Sequence, residues 1–519
     1  MRAFLIFLFA LAVRAATAIW VSQPGYMDSY YYYAIGESLY RGNGFVENFV
    51  WNYLSIPSTI PHPSNLYWMP LPSVALALSF FVLGESFRAA QVPMVIVSAI
   101  LPAISYVVTK DILANERYAV SAAIFTVFSA PYMVFWTVPE SFGLFAVFGS
   151  LTLYFTYKGL RGNSWYFAAA GATCGLAHLT RADGALLFLI VLAMAGLSTA
   201  MNRLAQAAGA ALWSILAPVA AYLVILSPWL CRNYLATGSP FPSSGLKAAF
   251  LREYNDMFAY GHSVDLSYYF QSGWENILQS KASALALNLA TYDYIALIYM
   301  LPFSLIGWWQ LRRRVELLPI LLYALGLYVL ASLVFTYPGP RGLLLHSGTA
   351  LLPFLFGPAV AGLDCTVEYV SRYRRHWSIP TAQLNFTRIS LGFSVALSLV
   401  IATRALATWD DQYRLYQQIA SLTEQRVLPT QTVMVVDPPA YYYVTKRPSI
   451  VFANDGVAQL AALSQRFHVA YVVLEPAHPQ ALRDLYTGRE SSPALELEQT
   501  FPDKDGRLVK LYRVVPFSQ

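Results

Sequence analysis

The chain has 519 residues, 57% of them hydrophobic and 12% charged, with a formal net charge of +6. Soluble domains carry about 25% charged residues, so a soluble globular protein is excluded and a membrane protein indicated. The basic residues form no patch but sit in short clusters between apolar tracts, which argues against nucleic acid and is the pattern of cytoplasmic loops.

In chain order, Met1 to Ala18 resembles a signal peptide ending in Ala-Thr-Ala, but Arg14 interrupts its apolar core and the stretch runs on through Trp20 and Val21. It reads as an uncleaved first span at 3–22, with the Arg14 head snorkelling to the interface. A polar, aromatic segment, 23–72, follows outside. The apolar stretch 71–83 contains Pro72 and is short for a span; if it crossed, the later basic clusters would fall on the outer face. It is read as a helix at the membrane surface or dipping into it. Spans are then expected at 88–109, 118–137, 141–157, 165–180, 184–200, 206–228, 288–310, 316–336, 343–363 and 388–407, about eleven in all with the first. This threading puts Lys110 and Arg117, Lys158 and Arg161, Arg203, Arg312 to Arg314, and Arg372, Arg374 and Arg375 on the cytoplasmic side.

External loop one then covers 23–87 and a second long external loop 229–287. The turns near 138–140, 181–183 and 337–342, and everything after 408, also fall outside. The tail 408–519 changes character: 433–437, 469–474 and 508–512 are strand-like apolar runs and 456–467 is helix-like. The expectation is a membrane domain at 1–407 and a small soluble α/β domain at 408–519. Cys174, Cys231 and Cys365 are widely spaced and show neither a disulfide framework nor a zinc-site spacing. Asn385-Phe386-Thr387 is a sequon in spelling only, since it falls inside.

Ionisable residues at span ends are functional candidates, and Asp28, Glu140, Arg181, Arg232, Arg341 and His346 all fall on the external side. The sharpest motif runs from Gly25 to Phe45: Asp28 opens a tyrosine-rich helix that ends in Arg41-Gly42-Asn43-Gly44. Two readings stand, a helix-capping aspartate with an interfacial tyrosine belt, and a catalytic acid.

This segment resembles the first external loop of the GT-C glycosyltransferases, the multi-spanning enzymes that use polyprenyl-phosphate sugars. The protein O-mannosyltransferase-like and aminoarabinose transferase-like branches are the nearest. Those families place an Asp, often Asp-Glu, after the first span and before a Tyr-x-x-x-Ala helix; Ser29 stands here in place of the second acid. His62-Pro63 and Trp68-Met69-Pro70-Leu71-Pro72 are similar to the family's Pro-Pro-Leu element. Thr180-Arg181-Ala182-Asp183-Gly184 resembles its Arg-Pro-x-Gly turn, and Pro228-Trp229-Leu230-Cys231-Arg232-Asn233 its Pro-Trp-x-x-Arg-Asn element. Asp28-Ser29-Tyr30-Tyr31 is also similar to the start of oligosaccharyltransferase catalytic subunits, although no Trp-Trp-Asp-Tyr-Gly-type acceptor motif occurs.

The resemblance implies a GT-C fold and transfer of a sugar from a polyprenyl-phosphate donor by a single inverting displacement. The acceptor is a lipid, glycan or protein, and the site faces outward from a prokaryotic plasma membrane. An acceptor hydroxyl must lose its proton as it attacks the anomeric carbon, which assigns Asp28 as general base, with Glu140 a second acid that orients acceptor or metal. The leaving phosphate needs cations: Arg232, Arg341, Arg181 and Lys247 are candidates, each with interfacial anchoring as its alternative. His62 and His346 are read as phosphate or metal ligands or as structural histidines. Tyr31, Tyr32, Trp51 and Trp68 are read as stacking surfaces for sugar or isoprenoid, or as an aromatic belt. A divalent metal on Asp28 and Glu140 stays open. A lipid or solute transporter is the rival class; it would place its polar residues and broken helices at mid-bilayer.

Overall fold

The apolar tracts fold as helices packed side by side. A computed structural model describes residues 1–201, 208–335, 342–374, 376–424 and 426–515. Among these, seven helices are long and apolar enough to cross a membrane: Arg2–Trp20, Phe87–Leu113, Gly184–Met201, Leu212–Thr237, Val315–Val334, Leu343–Ser371 and Ile379–Thr423. The helices Phe142–Leu160 and Trp165–Thr180 pack among them. Leu71–Leu83 is a separate short apolar helix that exposes Leu78, Phe81 and Val82.

Two of the expected spans are broken. The tract at 118–137 is a helix only over Glu116–Val127, then two short turns at Ala130–Tyr132 and Phe135–Thr137. Pro131 explains the stop, since proline offers no N–H and disfavours helix in the residue before it. Three carbonyls at this end find side-chain partners: Arg14 donates to Val127 (2.8 Å) and Thr126 (3.2 Å), while Ser394 and Ser398 donate to Phe128. The snorkelling expected of Arg14 is therefore corrected. Its side chain is fully buried, with the guanidinium 5.4 Å from the Trp136 ring. The helix end supplies acceptors and the negative end of a dipole, so the charge stays inside. Replacing Arg14 by Leu is expected to lower stability by about 2–4 kcal/mol, because two buried carbonyls lose charge-assisted partners. Thermal unfolding in detergent checks this; an unchanged midpoint would show that water or lipid serves those carbonyls equally well.

The tract at 288–310 likewise divides into Trp274–Ile295 and Leu301–Leu311, with Leu297 and Ile298 at positive φ between them. The second helix packs backbone against backbone on Leu352–Ser371: a Cβ on Gly307 would lie 2.0 Å from the Pro358 carbonyl oxygen, and one on Gly362 1.9 Å from that of Phe303. Small residues at such crossings are how helices approach closely without a hydrophobic drive between them.

Charged groups gather at one end of the bundle. Arg2 and Lys110 pair with Glu116, Arg117 with Asp364, and Lys158 and Arg161 with Asp111. Arg314 donates to the Ile112 carbonyl at 2.6 Å. This is the clustering that the charge threading expects; Arg203 and Arg375 lie outside the described residues.

At the other end stands a six-stranded sheet. With β1 (Val46–Glu47), β2 (Phe49–Val50), β3 (His62–Pro63), β4 (Thr432–Val435), β5 (Ser449–Val451), β6 (Val469–Leu474), β7 (Leu495–Pro502) and β8 (Leu508–Val514), its order is β2-β5-β4-β6-β8-β7. The first four in that order run parallel, with Phe49 opposite Ser449, and β6, β8 and β7 are antiparallel. The loop after the first span thus lends an edge strand to the C-terminal sheet. The helix Ile379–Thr423 has 45 residues and carries the chain from the bundle into this domain without a break, so position 407 falls inside it. Lys446 of the sheet domain closes the joint with an ion pair to the buried Glu37 of the loop-one helix, 2.5 Å.

Candidate active site

The helix Met27–Tyr40 starts at Tyr26, whose side chain makes no cap, and Asp28 lies in its first turn. The capping position belongs to Tyr26, which leaves the Asp28 carboxylate beside the favourable N-terminal end of the helix. Gly25 sits at φ 102°, and a Cβ there would lie 2.4 Å from the Trp409 ring, so this glycine lets the long C-terminal helix press against the loop. Trp409 in turn stacks on Tyr26, ring centroids 5.5 Å apart.

Tyr26 hands the arrangement on: its hydroxyl donates to Glu140 Oε2 at 2.7 Å. The other Glu140 oxygen accepts from the Ser141 backbone and hydroxyl, both at 2.6 Å. Glu140 is buried and fixed at the foot of Phe142–Leu160. His346 is buried, stacks on Phe142 (4.4 Å) and lies 3.1 Å from the Gly342 carbonyl through Nδ1. That bond makes Nδ1 the donor of the neutral ring and leaves Nε2 as an acceptor.

Asp28, Glu140 and His346 each place one ligand atom within 4.8 Å of the other two. Two carboxylates and an imidazole suit a divalent cation such as Mn²⁺ or Zn²⁺, and these three are the residues that would hold one. Arg181 supplies a resident positive charge. Its Nε donates to Asp183 Oδ1 and Ser347 Oγ, both at 3.1 Å, and its charge draws down the proton affinity of Asp28 and Glu140. Burial wins over that effect, followed for Asp28 by the charge of Glu140, so Asp28 stays well above the usual carboxylate range. A carboxylate raised in this way is a stronger base once ionised. Tyr32 lies beside Ser141 in the same group.

Five of the expected site residues therefore converge: Asp28, Glu140, Arg181, His346 and Tyr32. Four others gather around a residue that the motifs do not single out, Glu47. Tyr31 and Arg232 lie beside its carboxyl, His62 Nε2 is 3.3 Å from its Oε1, and Trp68 packs on Tyr31 at 4.6 Å. Arg232 is stacked between Phe45 and Trp229 and donates to the Phe45 carbonyl at 2.9 Å. Lys247 is apart from both groups, donating to the Leu54 carbonyl at 2.8 Å. Arg341 lies outside the described residues.

The tyrosines are not a belt at the surface. Tyr30 to Tyr33 are all buried, against Trp68, Phe80 and Tyr443. Asp437, read in the sequence as a strand-end turn residue, caps the helix Pro438–Thr445 and lies close enough to Asp28 to raise its proton affinity. Only the folding of the tail over loop one brings it there.

A multi-span bundle with a carboxylate-bearing first loop and a C-terminal sheet domain packed on that loop is the GT-C fold, as the first loop leads one to expect. Over nearly its whole length the chain is similar to the ArnT of Cupriavidus metallidurans bound to undecaprenyl phosphate. The identity is 15% and the TM-score 0.57, with 99% of this chain and 98% of that one covered. The apo form of the same protein gives 15% and 0.57, covering 99% and 97%. An oligosaccharyltransferase of Archaeoglobus fulgidus gives 11% and 0.49, covering 91% and 69%. Residues 62–231 match the family described as dolichyl-phosphate-mannose-protein mannosyltransferase. No curated protein matches the chain. The chain is a multi-pass membrane protein with the fold of the GT-C glycosyltransferases.

Proposed function

We propose that the chain transfers a sugar from a polyprenyl-phosphate donor to an acceptor hydroxyl at the membrane surface opposite its basic clusters, the extracytoplasmic face of a prokaryotic plasma membrane. The observation that carries this reading is the convergence of Asp28, Glu140 and His346 within 4.8 Å, beside Arg181. As the acceptor O–H bond breaks, Asp28 takes the proton and the oxygen bonds to the anomeric carbon. The bond from that carbon to the phosphate oxygen breaks on the opposite side, which inverts the centre, and the polyprenyl phosphate departs with the electron pair. Glu140, held by three hydrogen bonds, orients the reacting groups, and Arg181 offsets the charge that develops. The ArnT of Cupriavidus metallidurans, which this chain resembles in fold, is bound to undecaprenyl phosphate, which favours a polyprenyl-phosphate donor here.

The test is consumption of radiolabelled polyprenyl-phosphate sugars by the protein in vesicles of known sidedness. Transfer of label from donor on the side opposite the basic clusters is expected. Failure to consume any donor in the panel would sink the reading.

The same three side chains support a resident divalent cation, which would add positive charge where the phosphate departs. Chelation of divalent ions is expected to reduce transfer at least tenfold, with Mn²⁺ or Zn²⁺ restoring it. Transfer indifferent to chelator would leave the positive charge of the site, among the described residues, to Arg181.

A further inference from the structure

Beyond the catalytic cluster lies a cavity of about 230 Å³ whose lining includes Tyr31, Glu47, Trp51, His62, Tyr67 and Thr237. We propose that it is a subsite for a neutral pyranose ring of the acceptor, with the Glu47 carboxyl hydrogen-bonding to the ring's hydroxyls and Trp51 and Tyr67 taking its C–H face. The inference deepens the glycosyltransferase reading and rests on it for naming the occupant as the acceptor.

Glu47 is the observation that points to a ligand. Strand pairing sets it directly opposite His62, and the residue is only 7% exposed. One oxygen faces His62, while Oε2 is buried with no hydrogen-bond partner among the described residues. Buried polar atoms are almost always satisfied, so this one awaits a donor. Burial holds the carboxyl up at about 8, with the Tyr31 hydroxyl and the Arg232 charge drawing it down.

The chemistry of the walls selects the class. A sugar ring has an apolar C–H face and a hydroxyl edge, and aromatic surface beside a carboxylate matches both. A phosphate suits the cavity poorly: among the described lining residues the acid and base side chains are Glu47 and His62. The nearby cation, Arg232, does not line it and is tied to Phe45 and Asn233.

Position argues for acceptor. Tyr31 lies three residues after Asp28 on one helix, so the two side chains are neighbours on one face, and a ring in the cavity can present a hydroxyl to the base. A second cavity of about 440 Å³, lined by Tyr53, Lys247, Tyr260 and His262, shares Ser55 with the first. It offers room for further sugar units.

The experiment is a ligand-observed NMR titration of the full chain in nanodiscs, without donor. The probes are methyl glycosides of glucose, galactose, mannose and N-acetylglucosamine, and their disaccharides. Saturable binding of at least one probe is expected, with the dissociation constant raised at least tenfold by Glu47→Gln. It should rise as much with Ala236→Trp, which fills the mouth from an exposed position and decides the matter if the first variant fails to fold. Binding by no probe, or binding unchanged in a folded variant, overturns the subsite. Because no donor is present, the two readings fail separately. Sugar binding without any transfer would remove the transferase reading and leave a sugar site, whereas transfer without binding removes the subsite alone.

Discussion

Replacing Asp28 by Asn is expected to lower sugar transfer by roughly 10²–10⁴-fold, the usual contribution of a positioned general base, while donor affinity changes little. The side chain keeps its size and loses only the ability to take a proton. Asp28 sits inside the first turn of its helix rather than at the cap, so the loss cannot be ascribed to an uncapped helix. Glu140→Gln should cost less, because the Ser141 hydroxyl and backbone still find an amide oxygen and the Tyr26 hydroxyl can turn to accept from the amide nitrogen. The assay is turnover of labelled donor at saturating concentration, with thermal unfolding run beside it. An Asp28→Asn protein as active as the wild type would make Asp28 a structural residue and move the base elsewhere.

The second large effect is on stability. Asp437 and Glu475 are buried in the C-terminal domain, and burial pushes both up to about 7. Tyr416 bridges them, donating to Glu475 Oε1 at 2.8 Å and accepting from the Asp437 backbone at 2.8 Å. In the unfolded chain these groups titrate near their ordinary values, about 3.9 and 4.3. Between about pH 4 and 7 the folded state therefore holds protons that the unfolded state has released. Stability must fall as pH rises through this window, by about 1.4 kcal/mol per unit for each group and roughly 3–4 kcal/mol per group across it. Hydrogen-exchange protection factors in β4 and β6, corrected for the intrinsic pH dependence of exchange, should thus be larger at pH 5 than at pH 8. Glu475→Gln should flatten the dependence and stabilise the domain at pH 8. A domain that tightens with rising pH would refute the assignment.

The sequence shows much of this site because the membrane constrains it. Charges are costly in lipid, so basic clusters mark one end of the bundle, and Asp28, Glu140, Arg181 and His346 could be assigned to the other before any coordinates. The apolar runs at 433–437, 469–474 and 508–512 likewise correspond to β4, β6 and β8. What stayed hidden depends on contacts between distant segments. Glu47 carries no motif and gains its setting from pairing with His62. The tyrosines of loop one are buried because the tail, through Tyr443 and Lys446, lies over them. Hydropathy also runs smoothly through Pro131 and through 296–300, where the helices stop, since an apolar window does not register the backbone.

The pairing of Phe49 with Ser449 sets an order for biosynthesis. At roughly 5–20 residues per second, the ribosome makes the first strand about 20–80 s before the second exists. For that interval the sheet edge of the first loop is without its neighbour and the carboxylate of Asp28 has no roof. The surroundings of Asp28 are therefore complete only once β5 and the Asp437 helix have been made and have folded against the first loop.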